Sequence, residues 1–142
     1  MFGGWAVDFH AGTVTRPHSD IDLAIWLDDV ARVAALLRGD GWVHVPDDAQ
    51  PGTMAFTRET VRVELAFLER DDAGGEPYTP IGDGRRATWA TGAFGQDIRT
   101  LAGVRARVLT LPALQEEKSG SRDDPVAEAK DRQDLATLEQ LG

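Results

Sequence analysis

Cysteine is absent from the 142-residue chain, which excludes disulfides and thiolate metal sites and leaves the redox compartment open. No run of about 18 apolar residues occurs, so no transmembrane helix is expected. The N-terminus has no basic segment followed by an apolar stretch. No signal peptide is therefore expected, and a cytoplasmic location is the default. Basic charge is scarce: Lys and Arg total 15 against 24 Asp and Glu, for a net charge of −9. That balance argues against a nucleic-acid partner, whose backbone is gripped by clustered Lys and Arg, and it suits a cationic small molecule. Internal repeats and low-complexity tracts are also missing. What is present is an apolar content of 42%, enough for a globular core, in a chain of the length of one domain.

The spacing of apolar residues predicts a short helix over 5–11, stopped at Gly12, then a loop to Ser19 broken by Pro17. A strand follows over 21–27. Asp28 or Asp29 caps a helix through Val30, Val33, Leu36 and Leu37 that ends at 39–41. A short strand is expected over 42–45 and a polar loop over 46–52. Strands over 53–58 and 61–68 form a hairpin turning at Glu59-Thr60. The stretch 69–86, rich in Gly, Asp and Pro, reads as one long loop, a length that points to function. Short strands are expected over 87–90 and 104–109. Helices follow over 111–118, with Thr110 as cap, and over 125–141, where Val126, Ala129, Leu135, Leu138 and Leu141 make the apolar stripe. The tryptophans read as core residues rather than stacking platforms.

Chemistry concentrates near the start. Gly3-Gly4 opens the first helix, and Arg16-Pro17-His18-Ser19-Asp20-Ile21-Asp22 leads into an apolar strand. On a strand, Asp20 and Asp22 point to one face with Cα atoms roughly 6.5–7 Å apart. Carboxylates so placed suit a pair of divalent ions, which sit about 3.5–4 Å apart in two-metal sites. Glycines offer bare backbone N–H groups that a phosphate can approach closely. On the second strand of the hairpin, Glu64 shares its face with Arg62, Ala66 and Leu68. A carboxylate on a face that ends apolar is a candidate for burial or for a site.

The run from Gly3 to Ile25, GGWAVDFHAGTVTRPHSDIDLAI, resembles the signature of small-molecule nucleotidyltransferases. It is most similar to the aminoglycoside adenylyltransferase and lincosamide nucleotidyltransferase group of the DNA polymerase β-like superfamily. A third acid in Arg62-Val63-Glu64-Leu65 extends the likeness. So do Lys118 and Lys130-Asp131-Arg132-Gln133-Asp134-Leu135, which resemble the family's K…KDxxDL ending. The resemblance implies an α/β (α+β) fold: a mixed sheet of the nucleotidyltransferase type flanked by helices, with C-terminal helices. It implies a single domain over 1–142. The usual helix and strand before the glycines are not expected, because only Met1 and Phe2 stand there. That short start leaves a homodimer open.

By the same resemblance the activity is Mg²⁺-dependent transfer of a nucleoside monophosphate, AMP from ATP the leading candidate, to a hydroxyl of a small molecule such as an aminoglycoside. Asp20, Asp22 and Glu64 would be catalytic and would hold two Mg²⁺ ions, hard cations that prefer carboxylate oxygens. Gly3, Gly4, Arg16, His18 and Lys118 would bind the nucleoside triphosphate. Each has a plainer alternative. Gly3 and Gly4 suit an ordinary turn, Arg16 an ion pair with an acid such as Asp8, His18 a packed imidazole and Lys118 a solvated helix face. Asp131 and Asp134 read as structural. The competing functional reading is a non-catalytic, antitoxin-like relative that binds nucleotide or a partner.

Overall fold

The computed structural model describes residues 1–46 and 50–142. The chain folds as two compact units, one of Ser19–Trp89 and one of Met1–His18 with Ala90–Gly142. No helix among the described residues is long and apolar enough to cross a membrane.

The Ser19–Trp89 unit is built on its longest strand. β1 (Ile21–Trp26) is followed by a 3-10 turn at Leu27–Asp29, α2 (Val30–Gly39), β2 (Val43–His44), β3 (Thr53–Arg58), β4 (Val61–Asp71), β5 (Gly74–Pro80) and β6 (Arg86–Thr88). The helix before β1 is α1 (Gly3–Ala11), in the other unit. These strands form one six-stranded mixed sheet in which β4 pairs with β3 and β5 antiparallel and with β1 parallel. Alternation places Val63 and Leu65 in a core with Phe56 and Ala34, against which Ile21, Leu23, Ile25, Val33 and Leu37 pack. The polar members of the same strands, Asp22 and Glu64, fall opposite one another in the β1–β4 register. The hairpin turns at Glu59-Thr60 as expected, with Glu59 at φ 54°.

The stretch 69–86 is not one loop. β4 runs on to Asp71, and β5 returns along it with Glu69 opposite Tyr78 and Asp71 opposite Gly74, across a bulge. Gly82 and Gly84 fall in the turn between β5 and β6, while Gly74, Gly75, Pro77 and Pro80 lie inside β5, next to the edge strand β6. Pro77 and Thr79 are buried there, and Trp89 donates from Nε1 to Thr79 Oγ1 at 2.9 Å. No tryptophan is fully buried, but Trp42 is half-buried and packs against the core of Phe56, Val63 and Leu65, as the sequence suggests. Trp26 is 40% exposed, with the Arg70 guanidinium 5.3 Å from its ring centre, and Trp42 carries Arg58 in the same way. The polar loop read over 46–52 falls in part on residues 47–49, which lie outside the described residues.

The second unit holds α1, the hairpin β7 (Ile98–Leu101) and β8 (Val104–Arg107), α3 (Leu111–Ser119) and α4 (Pro125–Leu141). α1 begins at Gly3, two residues earlier than its apolar spacing predicts, and ends on Gly12 in the left-handed conformation. Met1 bonds the chain at 107–109, donating to Arg107 O at 2.8 Å and accepting from Leu109 N–H at 3.0 Å. α4 starts where expected, with Asp124 accepting from the Val126 N–H. Its buried face differs from the apolar stripe. Asp131, Asp134 and Leu138 are buried, while Val126 and Leu141 are exposed. Spacing of i, i+3 and i+7 puts these three on one face whatever their polarity.

Candidate functional site

The sequence-predicted residues fall into two groups, one in each unit. In the Ser19–Trp89 unit, Asp20, Asp22 and Glu64 come together: one carboxylate oxygen from each lies within 4.8 Å of the others. Asp20 precedes β1 by one residue, so strand alternation gives it the face of Asp22, and the parallel register brings Glu64 across from Asp22. All three side chains are half-buried. Arg62 donates to Glu64 through Nε at 3.1 Å and Nη2 at 2.8 Å, both to Oε1. Arg62 offsets one of the three negative charges, and an all-oxygen donor set gathered this closely is what a hard divalent ion takes. The residues present therefore fit Mg²⁺.

Beyond the C-terminal ends of β1 and β4 in the same unit lies a cavity of about 490 Å³. Asp28, Glu69, Asp72, Trp26, Arg70 and Tyr78 line it. Glu69 accepts from the Tyr78 hydroxyl at 3.2 Å, and nearby Asp71 is taken by a two-pronged bond from Arg86. That bond holds the Asp71 carboxyl below its ordinary range.

In the other unit, Gly4, Arg16 and His18 meet, and Lys118 joins them through a shared partner. Arg16 donates from Nε to Asp134 Oδ1 and from Nη2 to Asp134 Oδ2, both at 2.7 Å. Lys118 Nζ lies 3.2 Å from the same Oδ2 and donates to Asp131 Oδ1 at 2.9 Å. Arg122 closes the chain on Asp131 Oδ2 at 2.7 Å. Lys118 is thus 5% exposed and ion-paired, not on a solvated face. Burial pushes the Asp134 carboxyl up, but the Arg16 hydrogen bond and the charges of Lys118 and Arg16 outweigh it and hold the group below its ordinary range. Burial pushes the Lys118 ammonium down, and its bond to Asp131 with the surrounding carboxylates raises it above the usual lysine range. Burial raises the neighbouring Glu117, whose Oε2 is buried with no hydrogen-bond partner among the described residues.

Asp8, fully buried on α1, holds His18 rather than Arg16. His18 Nε2 lies 2.5 Å from Asp8 Oδ2, and Oδ1 accepts from the Thr15 hydroxyl and amide. The Trp5 ring packs on the imidazole at 4.5 Å between centres. This explains the glycine pair locally. Gly3 has φ 68°, and a Cβ on Gly4 would lie 2.5 Å from His18 Nδ1 and 2.6 Å from Arg16 Nη2. Both neighbours are pinned, so Gly4→Ala should destabilise the protein by about 1–3 kcal/mol and shift the His18 ring resonances. Denaturant unfolding and NMR check this, and unchanged spectra would show that the contact is not tight. Sequence reading missed Arg122 altogether, and no local pattern marks it.

Residues 1–138 match the aminoglycoside-2″-adenylyltransferase family. No curated protein matches the chain. Among solved structures, the lincomycin-bound lincosamide antibiotic adenylyltransferase LnuA aligns with a TM-score of 0.76 at 19% identity, over 99% of this chain and 84% of that one. ANT(2″)-Ia in complex with adenylyl-2″-tobramycin aligns with a TM-score of 0.73 at 19% identity, over 99% and 78%. The likeness to these structures shows a shared nucleotidyltransferase fold. With the match spanning nearly its whole length, the chain belongs to the aminoglycoside-2″-adenylyltransferase family and is a nucleotidyltransferase.

Proposed function

We propose that this enzyme moves a nucleoside monophosphate, AMP from ATP, onto a hydroxyl of a small cationic antibiotic such as an aminoglycoside, releasing pyrophosphate. The observation that carries the reading is the convergence of Asp20, Asp22 and Glu64, with oxygens within 4.8 Å of one another, in a chain of this family. These three would hold Mg²⁺, which supplies charge neutralisation for the transferred phosphoryl group and its leaving group. The acceptor oxygen attacks the α-phosphorus. The bond from that phosphorus to the bridging oxygen breaks, pyrophosphate leaves with the electron pair, and Glu64 takes the hydroxyl proton. Arg62 on Glu64 Oε1 leaves Oε2 to do so. The first turn of α1 at Gly3 and Gly4 would present backbone N–H groups to the triphosphate, with Arg16, Lys118 and His18 beside it.

The acceptor class rests on three supports. Relatives of this fold are solved with lincomycin and with adenylyl-2″-tobramycin. The net charge is −9. The cavity at the C-terminal ends of β1 and β4 is lined by Asp28, Glu69, Asp71 and Asp72 beside Arg70, an excess of negative charge that suits an amine. The family match over residues 1–138 supports reading the chain as one nucleotidyltransferase domain. Pyrophosphate release with Mg²⁺, each nucleoside triphosphate and a panel of aminoglycosides, lincosamides and other hydroxylated metabolites tests the reading. Turnover with ATP and an aminoglycoside is expected, and no release with any pair would overturn it.

A further inference from the structure

We propose that Asp134 is a positioning residue for the donor triphosphate, acting through Arg16 and secondarily through Lys118. This rests on the reading of Arg16 as a triphosphate ligand. Asp134 is 0% exposed, on α4, and 118 residues from the arginine it holds. A buried carboxylate facing only cations is a weak source of stability, since a well-packed apolar residue does as well or better there. What it provides is geometry. The two-pronged bond uses the Nε and Nη2 edge of the guanidinium at 2.7 Å each, and Nη1 gives one hydrogen to Pro17 O at 3.1 Å. A guanidinium has five N–H groups. One hydrogen on Nη1 and one on Nη2 therefore remain, on the edge away from Asp134.

Nη2 is the arginine atom nearest to Gly4, 2.6 Å from where a Cβ would stand, at the first turn of α1. The guanidinium is thus fixed with two donors to spare beside backbone N–H groups that also lack helical partners. Lys118 shares Asp134 Oδ2, so one carboxylate sets the position of both cations. An arginine held on one edge by a carboxylate recognises phosphate oxygens with the other at little cost in side-chain entropy.

A double-mutant cycle on the full chain tests this. Binding of ATP with Mg²⁺, and of inorganic tripolyphosphate as a base-free probe, is measured by calorimetry for wild type, Asp134→Asn, Arg16→Gln and the double variant. Misplacing a positioned ligand group weakens binding by roughly tenfold to a hundredfold. Each single variant should lose that much for both probes, and the double variant should lose no more than the worse single one. KM for the acceptor should stay unchanged. A merely structural role predicts losses that multiply, or none in a folded Asp134→Asn; either overturns the proposal. Should Asp134→Asn not fold, Arg16→Lys decides. It keeps the charge but cannot make the two-pronged bond, so wild-type affinity overturns the proposal and a tenfold loss supports it. If wild type itself binds no triphosphate, the functional reading falls; if wild type binds and the variants match it, only the role of Asp134 falls.

Discussion

Replacing Asp22 with asparagine should abolish turnover, by roughly 10³-fold or more, because charge neutralisation worth several kcal/mol of barrier is lost. The fold should survive. Asp22 is half-buried on β1, and the β1–β4 backbone ladder that holds it does not depend on its charge. Removing one of three crowded carboxylates also relieves repulsion with Asp20 and Glu64, which offsets the loss of Asp22's own polar contact and keeps the variant folded. A second readout separates loss of the cation from loss of catalysis alone. Mg²⁺ should raise the melting temperature of the wild type, since a ligand that binds only the folded state stabilises it by mass action. The same titration should leave Asp22→Asn nearly unmoved. Full activity in that variant, or an equal Mg²⁺ shift in both proteins, would remove the carboxylate cluster from the mechanism.

The parts of the carboxylate cluster were legible by short-range rules, but their joining was expected only from the family resemblance, because it depends on the parallel β1–β4 register that sets Glu64 across from Asp22. Asp20 and Asp22 are two residues apart ahead of an apolar strand, and Glu64 lies on the second strand of a hairpin whose turn is marked at Glu59-Thr60. Alternation alone then puts all three on definable faces. The cationic group was half legible. Gly4, Arg16 and His18 stand close in sequence, but what fixes them comes from afar: Asp134 reaches Arg16 across 118 residues, and Lys118 meets Asp131 across a helix pair.

Periodicity identified α4 and placed Leu138 inward, but it missed the aspartates on the same face. The apolar positions looked sufficient, yet the buried ones include Asp131 and Asp134, whose burial is possible only because Arg16, Lys118 and Arg122 meet them there. β5 was illegible for a different reason. Gly74, Gly75, Pro77 and Pro80 are poor strand formers, and only pairing with β4 and β6 overrides that preference.

Lys118→Met should produce the largest loss of stability of any conservative-volume change in this chain. Lys118 is 5% exposed, and its ammonium compensates both Asp131 and Asp134. Breaking a buried pair by removing one partner costs about 3–5 kcal/mol. Arg122 and Arg16 stay on the two aspartates, which places the expected loss near the lower figure, about 3 kcal/mol. For a chain of this size that is a fall in melting temperature of roughly 10 °C. The pH dependence carries the sharper signature. Asp134 is held below its ordinary range, so its contribution is complete above about pH 4, the unfolded carboxylate value, and is lost as pH falls through the lower folded value. Lys118 is raised, so its contribution is complete below about pH 10, the unfolded lysine value, and is lost as pH rises through the higher folded one. Without the lysine, Asp134 loses one of its two neutralising charges and its folded value moves up. Acid unfolding of Lys118→Met should therefore begin at higher pH than in wild type, and the alkaline loss should disappear. Urea unfolding followed by circular dichroism across the pH range measures both limbs. An acid limb that coincides with wild type would mean that Arg16 alone holds Asp134 ionised and that Lys118 is free to serve another group.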